Sequence, residues 1–199
     1  MNMIKKQLGM VFLALVFSLT ATAQTYENQY KICSEPLSKL NLVDSLYFAL
    51  AQKRDSCLLG VKAPNFQVTT LDNKRIELSK LKGQVVVLNF WFTRCGPCIE
   101  EIPGFNKLVE FYANKNVTFI SLNYDSTVMV RKFLKQHPWK FNIVANNDEV
   151  RRNNFKLFSV WPYTIIISKE GKIAYMQFGS KGTETFAYFN GLINKLLKS

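Results

Sequence analysis

The sequence predicts an α/β domain with a helical extension at its N-terminus. Three observations lead there. Val85, Val86, Val87, Leu88, Asn89, Phe90 and Trp91 form a near-continuous apolar run, as expected of a strand buried on both faces of a sheet. Segments of helical and extended periodicity alternate after it. The chain then closes with two strands joined by a turn and a last amphipathic helix.

Composition bounds the alternatives. With 199 residues, 48% hydrophobic and 14% aromatic, the chain can bury a sizeable core, which excludes a disordered protein and favours one domain with a small extension. His137 is the single histidine, so a multi-histidine metal centre is excluded. Four cysteines are too few for a disulfide-built mini-fold. The formal charge of +12 is scattered from Lys31 to Lys198 rather than gathered in a block, which argues against a nucleic-acid footprint.

Lys5 and Lys6 precede an apolar stretch from Leu8 to Leu19 and a small-residue cleavage site ending at Ala23, the pattern of a signal peptide over residues 1–23. The apolar stretch is shorter than the roughly 20 residues that cross a bilayer; the alternative is an uncleaved N-terminal membrane anchor. Cleavage leaves a charge of +10 and implies export across the inner membrane to the periplasm.

Residues 24–60 form the expected extension. Val43, Leu46, Tyr47 and Leu50 recur at helical spacing, and Gly60 and Pro64 end the segment. The main domain is expected over 61–199. Phe66–Thr70 and Arg75–Leu78 read as short strands about a turn at Asp72-Asn73. The buried strand at 85–91 is followed by a helix from Pro97 to about Ala113, a strand at Val117–Leu122 and a helix at Val128–Gln136. Asp148–Phe158 is a weaker helical segment. Tyr163–Ile167 and Ile173–Phe178 flank the turn at Lys169–Lys172, and a final helix carries Phe186, Phe189, Ile193 and Leu196 on one face, with Thr183 as its cap.

Chemistry centres on Cys95-Gly96-Pro97-Cys98, which sits where the buried strand turns into a helix. A helix start presents unpaired N–H groups and partial positive charge, both of which favour a thiolate. Cys95 is therefore expected to be an exposed, low-pKa nucleophile, with Cys98 one turn on and able to resolve a mixed disulfide. Pro97 fits the first turn, where its missing N–H costs nothing. The competing readings are half of a zinc site, which lacks a second ligand pair, and a static disulfide. No metal or cofactor is expected.

The run Asn89-Phe90-Trp91-Phe92-Thr93-Arg94-Cys95-Gly96-Pro97-Cys98 resembles the active site of the thioredoxin superfamily. Glu101 and Pro103 match the C-x-x-C-x-x-E-x-P form of its secreted TlpA/ResA-like branch, as do Ala63-Pro64-Asn65-Phe66 and Leu81-Lys82-Gly83 upstream. Val160-Trp161-Pro162-Tyr163-Thr164 with Gly171-Lys172-Ile173 is similar to the family's cis-proline strand and hairpin. The resemblance implies a thioredoxin-like fold with a central mixed sheet flanked by helices. It also implies Cys95 as attacking thiol, Cys98 as resolving thiol, Pro162 as the cis-proline facing them and a Trp161 backbone that pairs with substrate. Trp91 is expected beneath the turn, and Pro103 to kink the helix.

Departures from the pattern bear on specificity. Asn89 stands where thioredoxin has a titratable aspartate, and Gly96 where one ResA type has a glutamate. Glu101 is then the nearest candidate for proton exchange with Cys98, against the plainer reading of an acid complementing the helix dipole. Arg94 replaces the usual tryptophan and either favours the thiolate or selects acidic partners. Cys33 and Cys57 lie outside the resembling region; a structural disulfide and a second redox relay are the two readings of them. His137 is read as surface or loop structure.

The expected activity is that of a periplasmic thiol-disulfide oxidoreductase reducing protein disulfides, with a membrane thiol-disulfide donor as partner and cytochrome c maturation as one setting. The rivals are a disulfide-forming oxidase, a thiol peroxidase of the peroxiredoxin-like kind, and a non-catalytic peptide-binding module using Trp161.

Overall fold

The computed structural model describes residues 25–39 and 45–199. The expected leader at 1–23 lies outside them, as does Val43. Among the described residues no helix is long and apolar enough to cross a membrane.

Helix α1 spans Tyr26–Ser34, with Thr25 as its cap, and α2 spans Ser45–Cys57. Strands β1 (Gln67–Thr69) and β2 (Arg75–Glu77) pair as a small antiparallel hairpin, its turn held by Asn73 at a positive φ of 61°. The main sheet comprises β3 (Val85–Trp91), β4 (Val117–Asn123), β5 (Asn142–Val144), β6 (Tyr163–Ile167) and β7 (Ile173–Phe178) in the order β5-β4-β3-β6-β7. β3, β4 and β5 are parallel and β6 and β7 antiparallel, so the sheet is mixed. Helix α3 (Gly96–Phe111) makes the crossover from β3 to β4; α4 (Thr127–Leu134) and α5 (Thr185–Lys198) complete the helical layers.

The two-residue period of β3 divides the core. Val86, Leu88 and Phe90 face one apolar cluster, which includes Tyr26, Cys33 and Leu58 of the N-terminal segment together with Phe66 and Phe155. Val85, Val87 and Trp91 face the other, built with Ile102, Phe105, Phe189 and Ile193 from α3 and α5. The extension therefore seals one face of the sheet, while the cysteine-bearing helix covers the other.

Several expectations are corrected. α2 buries Tyr47, Ala51, Arg54 and Asp55, whereas Leu46 is 59% exposed, so the buried face is rotated from the expected apolar stripe. The helical segment expected at 148–158 shrinks to one five-residue turn, Val150–Asn154. Thr183 falls in a short 3-10 turn, Gly182–Glu184, rather than capping α5, which starts at Thr185. β5 was not anticipated, because three residues at a sheet edge are too short to show a period.

Candidate active site

The site grows from the C-terminal end of the central strand, where open α/β sheets place their ligands. Cys95 is the N-cap of α3, and its Sγ accepts the Cys98 N–H at 3.2 Å. The two cysteines are joined, with Sγ–Sγ 1.94 Å and Cα–Cα 5.2 Å. Gly96 and Pro97 between them are exposed. An orphan helix amide thus meets the sulfur directly, an arrangement that favours negative charge on Cys95 once the bond is opened.

The expected exposure of Cys95 is corrected in this disulfide form: Cys95 is 4% exposed and Cys98 1%. Both belong to the core cluster of Trp91, Ile102 and Phe105, against which Phe92, Ile99 and Trp161 pack. Trp91 lies fully buried in that cluster, donates from Nε1 to Ser121 Oγ and packs on Trp139.

Asp125, just past the end of β4, holds the turn that presents Cys95. Its Oδ2 accepts from the Thr93 N–H at 2.7 Å and from Thr93 Oγ1 at 2.8 Å. Arg94 beside it is exposed. Asp125 went unrecognised in the sequence; its signal was a polar residue at the C-terminal end of a buried parallel strand.

The Trp161–Pro162 peptide bond is cis. Tyr163 pairs with Phe90, so Pro162 lies beside the end of β3 from which the cysteine turn departs. Trp161 packs edge-on against Phe92 (5.8 Å between centroids) and near Tyr124 (5.2 Å), forming an aromatic rim. Asn89, in register with Thr164, donates from Nδ2 to Thr164 Oγ1 at 3.1 Å, while its Oδ1 is buried without a hydrogen-bond partner.

Glu101 is 1% exposed. Its Oε1 accepts from the Lys181 N–H at 2.7 Å and from Thr185 Oγ1 at 3.4 Å, and Oε2 has no hydrogen-bond partner. Burial pushes its carboxyl up to about 7, against the opposing pull of the Lys181 amide and the Thr185 hydroxyl. A dipole-complementing acid belongs in water at the first turn; this one is enclosed, three residues beyond Cys98 on the same helix face. The plainer reading of Glu101 does not describe this environment. Lys181 and Thr185 gave no sequence signal, lying some eighty residues away.

Cys33 and Cys57 are also joined, with Sγ–Sγ 1.98 Å and Cα–Cα 5.8 Å, and so tie α1 to α2. Two residues before Cys57, Asp55 forms a buried ion pair with Arg54, and both bond the hydroxyl of Tyr163, the residue after Pro162. The Arg54 guanidinium lies 3.9 Å from the centroid of Phe158. This network joins the extension to the cis-proline strand and was missed, because adjacent charges on a helix read as a solvated face. His137 stacks on Phe133 at 4.6 Å and shares a cavity with Ile99, Ile102 and Pro103 of α3.

Residues 59–176 match the AhpC/TSA family. The chain is 36% identical over 141 residues to the thiol-disulfide oxidoreductase ResA of Bacillus cereus, covering 70% of this chain and 81% of that relative. It is 33% identical over 137 residues to ResA of Bacillus subtilis, covering 68% of this chain and 76% of the relative. Among solved structures, a thioredoxin-family thiol:disulfide interchange protein from Chlorobium tepidum superposes with a TM-score of 0.60 at 23% identity, over 68% of this chain and 95% of that one, a likeness of fold. With a paired C-x-x-C at the helix start and relatives of this similarity, the chain belongs to the AhpC/TSA family and is a thiol-disulfide oxidoreductase of the ResA type.

Proposed function

We propose that the protein reduces protein disulfides in the periplasm, after export directed by residues 1–23. The observation that carries the exchange chemistry is Cys95 at the cap of α3, its sulfur bonded by a helix amide, with the enclosed carboxyl of Glu101 one turn beyond Cys98. In the dithiol form, the Cys95 thiolate attacks one sulfur of the client disulfide. The client's S–S bond breaks, a mixed disulfide forms, and the first client thiolate leaves and takes up a proton.

Cys98 then passes its proton to the Glu101 carboxylate and attacks Cys95 Sγ, expelling the second client thiolate. The client gains two electrons and the Cys95–Cys98 pair loses them. A carboxyl that titrates near 7 is suited to this exchange at neutral pH. Asn89 cannot titrate and serves by its bond to Thr164, which fixes β6 beside the site. The Trp161 backbone, at the cis-proline turn, pairs with an extended client segment. A membrane thiol-disulfide protein restores the dithiol, and apocytochrome c cysteines are a fitting client class.

The direction is tested by the reduction potential of the Cys95–Cys98 couple, measured by equilibration against glutathione and dithiothreitol. A potential more reducing than the glutathione couple is expected; a more oxidising one would assign the protein to disulfide formation instead.

A further inference from the structure

The chain's positive charge looks diffuse in the sequence, yet the structure places three cations, each within reach of a carboxylate, beside the segment that leads into the cis-proline turn. A cleft of about 930 Å³ runs along the segment that leads into Trp161, lined by Arg151, Arg152, Lys156, Val160 and, on its apolar side, Tyr47 and Phe158. No carboxylate is among the described residues that line it. Tyr47 and Phe158 pack edge to face at 5.0 Å, so the extension and the main domain share the floor.

The three cations differ in what they are free to do. Arg151 is 7% exposed and fixed: it bonds Asp148 and the Leu157 carbonyl, and its guanidinium lies 5.1 Å from the Trp161 ring. It is a structural link between the cleft and the cis-proline turn. Arg152 has a side chain 69% exposed and lies 3.8 Å from Asp148, a loose pair. Lys156 pairs with Glu27 of α1 at 2.7 Å, with both side chains partly open to solvent. Solvent-exposed ion pairs of this kind contribute little to stability, so Arg152 and Lys156 can exchange those partners for an incoming carboxylate at little cost. Over an apolar floor, such contacts are less screened than in open water.

We propose that this cleft binds an acidic segment of the client polypeptide flanking the disulfide under exchange. A client strand paired with the Trp161 backbone continues past Val160, which both lines the cleft and precedes Trp161. The cleft thus selects clients by charge a few residues from the target cysteine, while the cysteine turn performs the chemistry. The net charge of +10 left after cleavage adds long-range steering in the same sense. This rests on the exchange reading above.

The test uses the full protein with dithiothreitol as reductant and synthetic peptides holding an intramolecular disulfide, with an Asp-rich or a Lys-rich flank. The acidic peptide is expected to show a kcat/KM about fivefold to tenfold above the basic one, through KM, with the preference shrinking as salt is raised. In Arg152→Glu/Lys156→Glu the ratio inverts; as a ratio within one variant, it does not move with a general loss of folded protein. Equal rates for both peptides, or a preference unchanged in the reversal variant, would overturn the proposal. So would inhibition by inorganic phosphate at constant ionic strength without any dependence on peptide charge, which would assign the cleft to a small anion. Neutral hydroxyethyl disulfide separates the two failures: no turnover of it sinks the exchange reading itself, whereas turnover without charge preference sinks only the cleft.

Discussion

Thr185 Oγ1 lies 3.4 Å from Glu101 Oε1, across 84 residues of chain, because nothing projects from Gly104 between them. A Cβ on Gly104 would meet Thr185 Cβ at 2.7 Å and the Phe186 N at 3.0 Å. The same approach brings the Lys181 amide onto Glu101. Tyr175 on β7, Tyr188 on α5 and the Lys181 side chain are the other titratable groups around this carboxyl, with Glu100 next to it on α3 and near Gly182.

Removing the Thr185 hydroxyl withdraws a hydrogen bond that favours the carboxylate. In Thr185→Val, the ionisation of Glu101, followed by carboxyl NMR in the oxidised protein, should move upward from about 7 by on the order of half a unit. An unmoved midpoint would mean that the Thr185 hydroxyl contributes nothing to the balance between burial and the Lys181 amide.

Glu101 also writes a pH dependence into stability. Its carboxyl is raised from 4.5 to about 7 in the folded chain, so the native state keeps a proton that the unfolded chain has released. The stabilisation from this group is complete below about pH 4.5 and is lost as pH rises through about 7. Glu101→Gln should flatten that decline and leave the oxidised protein more stable above neutrality by on the order of 1–3 kcal/mol. Urea titrations of both proteins across this range supply the check; parallel slopes would refute it.

The Arg54–Asp55 pair is fully enclosed beneath Tyr163. Breaking it from one side leaves an uncompensated buried charge, so Asp55→Leu should cost about 3–5 kcal/mol. Arg54→Met/Asp55→Leu removes both charges and should recover much of that loss in denaturant unfolding. A double variant as unstable as the single one would show that the Tyr163 contacts, not the charges, dominate.

The Cys33–Cys57 bond closes a loop with a sequence separation of 24. Cys33→Ser/Cys57→Ser should lose about 3 kcal/mol of stability. Turnover of a small disulfide at low temperature should persist. Abolished turnover in a folded double variant would instead point to a relay through this pair.

The chemistry-bearing part of the fold was legible because it is local. An apolar strand, a C-x-x-C at its end and Pro97 in the first turn are contiguous, and their reading needs only period and helix-end physics. What escaped depends on chain that returns from afar. The environment of Glu101 is made by Lys181 and Thr185, and that of Arg54 and Asp55 by Tyr163. The exposure expected of Cys95 failed for the same reason: Trp161, far along the chain, packs against its cluster. β5 escaped through brevity, and the stripe on α2 misled because its buried face carries an ion pair where the pattern sought apolar residues.

The central claim is that Cys95 attacks and Cys98 resolves. Cys98→Ala, oxidised in the presence of a disulfide-bonded peptide, tests it directly by intact-mass spectrometry. The account predicts a stable adduct of one peptide, mapped to Cys95 and released by dithiothreitol, with no adduct in Cys95→Ala/Cys98→Ala. Failure to trap any peptide on Cys95 would contradict it, as would a stronger adduct on Cys98 in the Cys95→Ala protein.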